Sequence, residues 1–312
     1  MNLMTKEKPY NTLNAFYRDK FGKKVFKVSL NGNFTCPNLD GTKATGGCIY
    51  CSESGSGDYA GDKYDPLKKQ FTQVKDMMSM KWPDAFYIAY FQANTNTYGP
   101  IEKLRNLFYE ALTLDPNVVG LSIATRCDSL NDEVYDLLSD LNDKTYLQVE
   151  LGLQSIHEKT SAFINRAHSL ECFTSAVKEL RKRNIDVVVH IINGFHIETK
   201  EDMIETVEFL NNLDIQGIKI HLLHIMKKTK LGHLYQKEPF KVLTLEEYRD
   251  IVVHQIEILD PNIIIHRITG DSPRELLIEP QWSLKKFVVM NEIDKELRRK
   301  NSYQGIKYKS EK

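Results

Sequence analysis

The strongest limit on the fold of this chain is a repeated alternation of short apolar runs with longer helical segments. The runs cover residues 25–30, 85–91, 118–123, 146–151, 185–192 and 218–223, and they are rich in β-branched and aromatic residues. Runs of that length and composition read as strands buried on both faces. Between them lie segments with helix start signals: Gly99-Pro100 before 101–114, Asn131 before a helix reaching about Leu141, Ser169 before 170–183, and Thr199 before 200–213. Repeated strand–helix units require crossovers, which make the sheet parallel and its connections right-handed. Six units form a partial barrel, open on one side. Beyond Leu223 the pattern changes to a helix over 245–259, a strand over 263–267, a turn-rich loop over 269–274 and a last helix over 284–299. A barrel over 1–230 and a C-terminal extension over 231–312 that closes its open side are therefore expected. A chain of 312 residues buries a core of this kind without disulfides.

The five cysteines are unevenly placed: Cys36, Cys48 and Cys51 fall within sixteen residues, in the loop after the first strand. Pro37, Gly41, Gly46 and Gly47 keep the intervening segment from becoming a helix. The N-terminal MNLMTKEKPY has charges but no apolar stretch behind them, and no apolar run spans a bilayer. A cytoplasmic protein with no membrane partner is expected, and in a reducing compartment such a cluster points to metal. A tetrahedral zinc site needs a fourth ligand, which has to come from distant Cys127 or Cys172 or from a histidine. A [4Fe–4S] cluster on three cysteines instead leaves one iron open to a cofactor or substrate. Both stand on spacing alone; the place of the loop at the C-terminal end of a barrel strand favours the second. Lys plus Arg and Asp plus Glu both number 42, so nucleic acid has no global electrostatic signature here and only a local patch is left to bind it.

Cys36, Cys48, Tyr50 and Cys51 resemble the motif of the radical S-adenosylmethionine (SAM) superfamily in its long-spaced form, that of the Elp3-like branch and the YtqA/YhcC-type group. The resemblance runs from Tyr10 to Trp282. It includes Cys36-Pro-Asn-Leu-Asp-Gly-Thr, Phe91-Gln-Ala-Asn-Thr-Asn-Thr-Tyr98, Glu150-Leu-Gly-Leu-Gln-Ser155, Ile164-Asn-Arg-Ala-His168 and His266-Arg-Ile-Thr-Gly-Asp-Ser-Pro-Arg274. It implies an α/β fold, a partial (β/α)6 TIM-like barrel with an N-terminal cluster loop at 36–51. It also implies a [4Fe–4S] cluster on the three cysteines, with SAM on the open iron. One-electron cleavage of SAM then gives a 5′-deoxyadenosyl radical that takes a hydrogen atom from substrate. The resemblance puts Tyr50 at the cofactor and Gln92, Asn94 and Thr95 near the methionine amino group. Thr125 and Arg126 fall near the ribose, Gln154 and Arg166 at ribose and carboxylate, and the backbone around Ile192 at the adenine. The plain alternatives are strand-edge caps for Gln92 and Gln154, a surface helix residue for Arg166, and for Glu150 a buried partner of a barrel Lys or Arg. His190 and His221, inside strand runs, read either as core histidines or as facing substrate.

Two stretches depart from the family. Thr125-Arg-Cys-Asp128 stands where many relatives read Thr-Arg-Pro-Asp, which makes Cys127 a bystander near the site. Gly194-Phe-His-Ile-Glu198 stands where many read Gly-Leu-Pro-Gly-Glu, with Glu198 a candidate cap for the helix at Thr199. The YtqA/YhcC-type group is associated with tRNA wobble-uridine modification, converting 5-carboxymethylaminomethyl-(2-thio)uridine to its 5-aminomethyl form. The resemblance thus implies a tRNA anticodon loop as partner and an electron donor such as flavodoxin or ferredoxin, and it allows for a partner methyltransferase. Tyr98, His266, Arg267, Arg274, Trp282, Lys285 and Lys286 are candidates for holding RNA; a core Trp282 and solvent-facing lysines are the plainer reading. The basic run of Lys295, Arg298, Arg299, Lys300, Lys307, Lys309 and Lys312 reads as a solvated tail or an RNA-contacting arm. The rival functions are a radical SAM enzyme acting on a small metabolite or protein, and a non-catalytic zinc-bound scaffold.

Overall fold

A computed structural model describes residues 3–52, 55 and 57–309 of the protein. The chain opens with α1 (Leu13–Phe21) and β1 (Val25–Leu30), then the cysteine loop and α2 (Leu67–Ser79). Strand–helix units follow: β2 (Phe86–Phe91), α3 (Ile101–Leu112), β3 (Val118–Thr125), α4 (Asp132–Asn142) and β4 (Tyr146–Gln154). After the short α5 (Glu158–Phe163) come α6 (Leu170–Lys182), β5 (Asp186–Asn193), α7 (Lys200–Leu210) and β6 (Gly217–Leu222). The remainder is β7 (Ile225–Met226), α8 (Lys230–Lys237), α9 (Leu245–Ile258), β8 (Ile264–Arg267), β9 (Leu277–Glu279) and α10 (Lys286–Arg299).

Seven strands form one parallel sheet in the order β1-β2-β3-β4-β5-β6-β8, curled into a half-barrel. The seventh strand, β8, comes from the segment expected as an extension and pairs beside β6. The two edge strands, β1 and β8, are bridged by α1, which packs on both. Thr12 forms a parallel bridge with Ile265, and the Ile265 N–H donates to the Asn11 carbonyl at 2.8 Å. The helices start where short polar side chains accept their free N–H groups: Thr12, Asn131, Ser169, Thr199, Thr229 and Thr244. Thr199 with Asp202 and Thr244 with Glu247 form capping boxes.

Side chains alternate across each strand. One set, such as Leu147, Val149 and Leu151 of β4 or Val187, Val189 and Ile191 of β5, joins the main core beneath the helices. The other set points into the half-barrel and is largely polar. A second apolar cluster of Ile49, Ile164, Phe195, Leu223, Ile225 and Leu231 lies at the mouth. It fastens the cysteine loop: the Ile49 N–H donates to the Ile164 carbonyl at 3.1 Å, and the Leu231 N–H donates to the Ile49 carbonyl at 2.9 Å. The antiparallel pair β7–β9 extends this cap.

Lys295, Arg299, Lys300 and Lys307 of the basic C-terminal run are held by acids of the same chain, and Arg298 donates to the Glu7 carbonyl. Lys295 pairs with Glu292 at 2.8 Å, Arg299 with Glu296 at 2.6 Å, and Lys307 with Glu257. Lys312 lies outside the described residues. Among the described residues, no helix is long and apolar enough to cross a membrane.

Candidate active site

A cavity of about 870 Å³ occupies the inside of the half-barrel and reaches its mouth. That volume is in the range of small-molecule sites. Cys36, Cys48 and Cys51 line it together. The loop that presents them is fixed by backbone and side-chain bonds. The Leu39 N–H donates to the Cys36 carbonyl at 2.8 Å, the Gly47 N–H to the Asn38 carbonyl at 2.7 Å, and the Cys51 N–H to the Cys48 carbonyl at 3.1 Å. Gly47 sits at φ 71°, and a Cβ there would lie 2.8 Å from Leu39, so the turn requires glycine. Asn38 and Asn165 clasp the loop: the Asn38 amide donates to the Asn165 carbonyl at 2.5 Å, and the Asn165 amide donates to the Gly47 carbonyl at 2.9 Å.

All three cysteines are free thiols, partly exposed. A hydrogen bond from Cys51 brings the Cys48 thiol down to about 7 against the opposing effect of burial, with help from Arg126, Asn38 and Tyr50. The Asn38 amide nitrogen is 3.5 Å from Cys48 Sγ. Thiolates are soft ligands suited to iron–sulfur or zinc. Among the described residues, the one group of three His, Cys, Asp or Glu ligand atoms within 4.8 Å of one another is His157, Asp202 and Glu205. The three sulfurs are therefore spread more widely than a single zinc, with bonds of about 2.3 Å, would gather them. Cys127 is buried and outside the lining; it donates to Cys172, whose thiol that bond lowers to about 7. The donor set fits a polynuclear cluster held by three thiolates.

The structure brings every cofactor-binding residue expected from the sequence to this same cavity. Gln92, Asn94 and Thr95 follow β2, Thr125 and Arg126 end β3, Gln154 ends β4, Arg166 follows α5, and Ile192 lies on β5 beside Tyr50. Asn94 and Gln154 both hold φ at 62°, a left-handed conformation that side chains rarely adopt, and they do so at strand ends facing the cavity. Arg126 is fixed by a two-pronged pair to Asp128 at 2.9 and 2.8 Å. Thr125 shares a 2.6 Å hydrogen bond with Thr97. Arg166 is buried, not a surface residue; it donates to the carbonyls of Leu153 at 2.5 Å and Ser155 at 2.6 Å and so braces the end of β4. The Tyr50 ring packs on Phe195 at 6.1 Å. Glu198 does not cap α7, whose box is made by Thr199 and Asp202; it accepts from Ser155 and, at 2.6 Å, from Thr160.

Of the candidates for RNA, His266 and Arg267 line the cavity, whereas Tyr98, Arg274, Trp282, Lys285 and Lys286 do not. Trp282 packs on Tyr248 and donates to the Leu243 carbonyl at 3.0 Å, the core role that was its plainer reading. Tyr98 meets Thr42 of the cysteine loop at 2.7 Å.

The cavity floor bears out the reading of Glu150 as a buried partner of a barrel lysine; what sequence reasoning missed is that Lys27, Lys219, Ser122, Tyr90 and His190 all converge on it. Glu150, 1% exposed, accepts from Lys27 at 2.6 Å, Ser122 at 2.9 Å, Tyr90 at 2.8 Å, His190 at 2.6 Å and Lys219 at 2.5 Å. Burial alone would raise its carboxyl, but the ammoniums of Lys219 and Lys27 and the His190 bond hold it well below the usual carboxylate range. Burial lowers both lysines, Lys219 to about 7, because two ammoniums share one carboxylate. His190 and His221 sit with ring centres 5.1 Å apart, and burial keeps both neutral. The signal was present: a single Lys or Glu in alternate positions of otherwise apolar runs.

The Radical SAM superfamily pattern matches residues 41–210 of this chain, and that of the Radical SAM C-terminal domain matches residues 215–299. The chain is similar to YtqA, an uncharacterized protein of Bacillus subtilis (strain 168), with 52% identity over 299 residues covering 96% of this chain and 92% of that protein. It is also similar to the tRNA uridine(34) acetyltransferase of Methanocaldococcus infernus, with 25% identity over 166 residues covering 52% of this chain and 30% of that protein. Among solved structures, the archaeal Methanocaldococcus infernus Elp3 with an N-terminal deletion shares the fold. Its TM-score is 0.67 at 18% identity, over 90% of this chain and 64% of that one.

Proposed function

Because the chain belongs to the radical SAM superfamily, whose members use a [4Fe–4S] cluster and SAM, we propose that it modifies the tRNA wobble uridine. The reaction removes the carboxymethyl group of 5-carboxymethylaminomethyl-(2-thio)uridine to leave the 5-aminomethyl form. The observation that carries this reading is the single cavity that unites the three cysteines with a buried, cationic floor. The likeness to a tRNA uridine(34) acetyltransferase and to the Elp3 fold supports tRNA as substrate class.

Cys36, Cys48 and Cys51 would hold the cluster. Gln92, Asn94, Thr95, Thr125, Arg126, Gln154 and Arg166 would surround SAM, with Tyr50 and Ile192 walling its adenosyl end. So loaded, the site supplies one-electron cleavage of SAM to methionine and a 5′-deoxyadenosyl radical. The chain's own residues position and exclude. The Arg126–Asp128 fork keeps a fixed cation beside the thiols, and Phe195 packs against Tyr50 and fixes its ring at the cavity wall. On the substrate, loss of a hydrogen atom from the N–CH2–COO⁻ methylene gives a radical stabilised by nitrogen and carboxylate. Transfer of one electron back to the oxidised one-electron carrier and of one proton to water gives an imine, so that SAM is the net oxidant, and hydrolysis of the imine releases glyoxylate and the amine. A flavodoxin or ferredoxin would deliver the reducing electron, the setting would be cytoplasmic, and a methyltransferase would act on the product. In this reading residues 231–312 are part of the catalytic frame, completing the barrel sheet with β8 and extending it toward the RNA.

The test is anaerobic reconstitution with iron and sulfide, reduction, and addition of SAM with tRNA bearing the carboxymethylaminomethyl group. Expected are 5′-deoxyadenosine and glyoxylate in equal amounts, and neither from the triple Cys36→Ala, Cys48→Ala, Cys51→Ala variant. Release of intact glycine would sink the mechanism, and turnover without tRNA would move the substrate to a small molecule.

A further inference from the structure

The floor of the cavity sets two lysines against a single carboxylate, so an anion entering it would be the second lysine's counter-charge. Both oxygens of Glu150 are saturated: Oε1 by Lys27 and Ser122, Oε2 by Tyr90, His190 and Lys219. Each ammonium has three protons and uses two of them. Lys27 donates to Glu150 and, at 3.0 Å, to the Ser122 hydroxyl; Lys219 donates to Glu150 and, at 3.1 Å, to the Tyr90 hydroxyl. One donor on each remains. Among the described residues, His221 Nε2 and His266 Nδ1 are buried with no hydrogen-bond partner, and both rings line the cavity. Arg267, also in the lining, shares Asp271 with Lys286 at 3.2 and 2.6 Å, so the rim too has two cations on one acid. Buried charge that lacks a counter-charge is costly, and a cavity that keeps it is complementary to an anion.

We propose that this floor is a carboxylate subsite, in which Lys27 and Lys219, flanked by His221, grip the carboxylate end of the substrate's substituent and so set its methylene toward the cysteine loop. The identity of the molecule carrying that carboxylate rests on the function proposed above; the subsite itself rests on the charge arrangement. Lys27 and Lys219 are specificity residues, and Glu150 is a positioning residue that holds the two ammoniums apart and aimed.

The test uses the cluster-loaded full chain and two probes, 5-carboxymethylaminomethyluridine and its carboxamide, compared by equilibrium dialysis, with 5′-deoxyadenosine measured in parallel. The acid binds at least about tenfold more tightly than the amide, the worth of one charge-assisted hydrogen bond. Lys219→Met, which leaves one ammonium against Glu150, abolishes the preference. Lys219→Met combined with Glu150→Gln restores the excess cation, and the preference returns; a merely structural role for Lys219 gives no such rescue. Iron content and far-UV circular dichroism identify any variant that fails to fold. Equal binding of acid and amide by the unaltered protein overturns the proposal without recourse to any variant. A preference that survives Lys219→Met and Lys27→Met overturns it as well. Selective binding of the acid with no 5′-deoxyadenosine or glyoxylate upholds the subsite and defeats the reaction alone.

Discussion

At the scale of single residues, the interior of this protein is set by ionisable groups held away from their ordinary states. Burial keeps His190 and His224 neutral, each with its titration lowered from the ordinary 6.5 to about 4. The unfolded chain therefore binds more protons than the folded one between those values, and stability falls as pH drops through that window. Each such histidine costs up to about 1.4 kcal/mol per pH unit there. Denaturant unfolding at pH 6.5 and pH 5 should show the fall, and His224→Gln should lose about 1.5 kcal/mol less than the unaltered protein; an equal loss in both would show that His224 is not buried neutral. The cysteines were the residues most open to sequence reading, since three soft ligands in one short loop have few structural uses. Lys27 and Lys219 were not readable in the same way. Each is one polar residue in an apolar run, and only the strand register, which sets His190 beside Lys219, shows that they converge on Glu150.

At the scale of elements, what a helix or loop announces depends on its length. Asn131, Ser169 and Thr199 marked helix starts correctly because a short polar side chain before an amphipathic run has a specific physical job. The six-residue α5 and the two-residue β7 are too short to carry a period, and tertiary contacts alone make them. The strands were found where expected and buried on both faces; what the runs did not announce is that the inner face is buried and largely polar while the outer one is apolar. Arg166, weighed as a surface residue, is instead a brace whose carbonyl partners cannot be read from spacing. The cysteine loop is the element whose shape matters most to the site. Gly47→Val places a side chain at φ 71° and into Leu39, so it should shift Cys48 with the barrel intact. Iron content after reconstitution should fall at least severalfold with unchanged far-UV circular dichroism; full iron loading would show that the loop tolerates another turn.

At the scale of the whole molecule, the sheet is not sealed by strand pairing between its two edges, and the two ends of the chain meet there. Gln304, fully buried, accepts from the Asn11 N–H at 2.9 Å and donates to the carbonyls of Asp260 and Ile263 at 2.8 Å each. Asn11 in turn donates to the Pro261 carbonyl at 2.6 Å. Gln304→Ala leaves the Asn11 N–H and the Ile263 carbonyl without the amide and should lower global stability by about 2–4 kcal/mol, seen as an earlier denaturant midpoint with unchanged slope; a loss below about 0.5 kcal/mol would mean that water replaces the amide. The alternation of runs made the half-barrel legible. The strand over 263–267 was legible too and is β8, although its place in the main sheet beside β6 comes only from the pairing; the clasp was not legible, because Gln304 looks like any other polar residue.

The clasp orders events in time. Residue 11 leaves the ribosome long before residue 304, and the Asn11 N–H needs the Gln304 side chain as its partner. Contacts so distant along the chain form late. While the ribosome is still adding the C-terminal segment, the nascent barrel lacks both β8 and its lock, with the cysteine loop already outside. The barrel is thus complete only once residue 304 is in place, and a carrier delivering iron and sulfur after that point would meet a closed frame rather than a growing one.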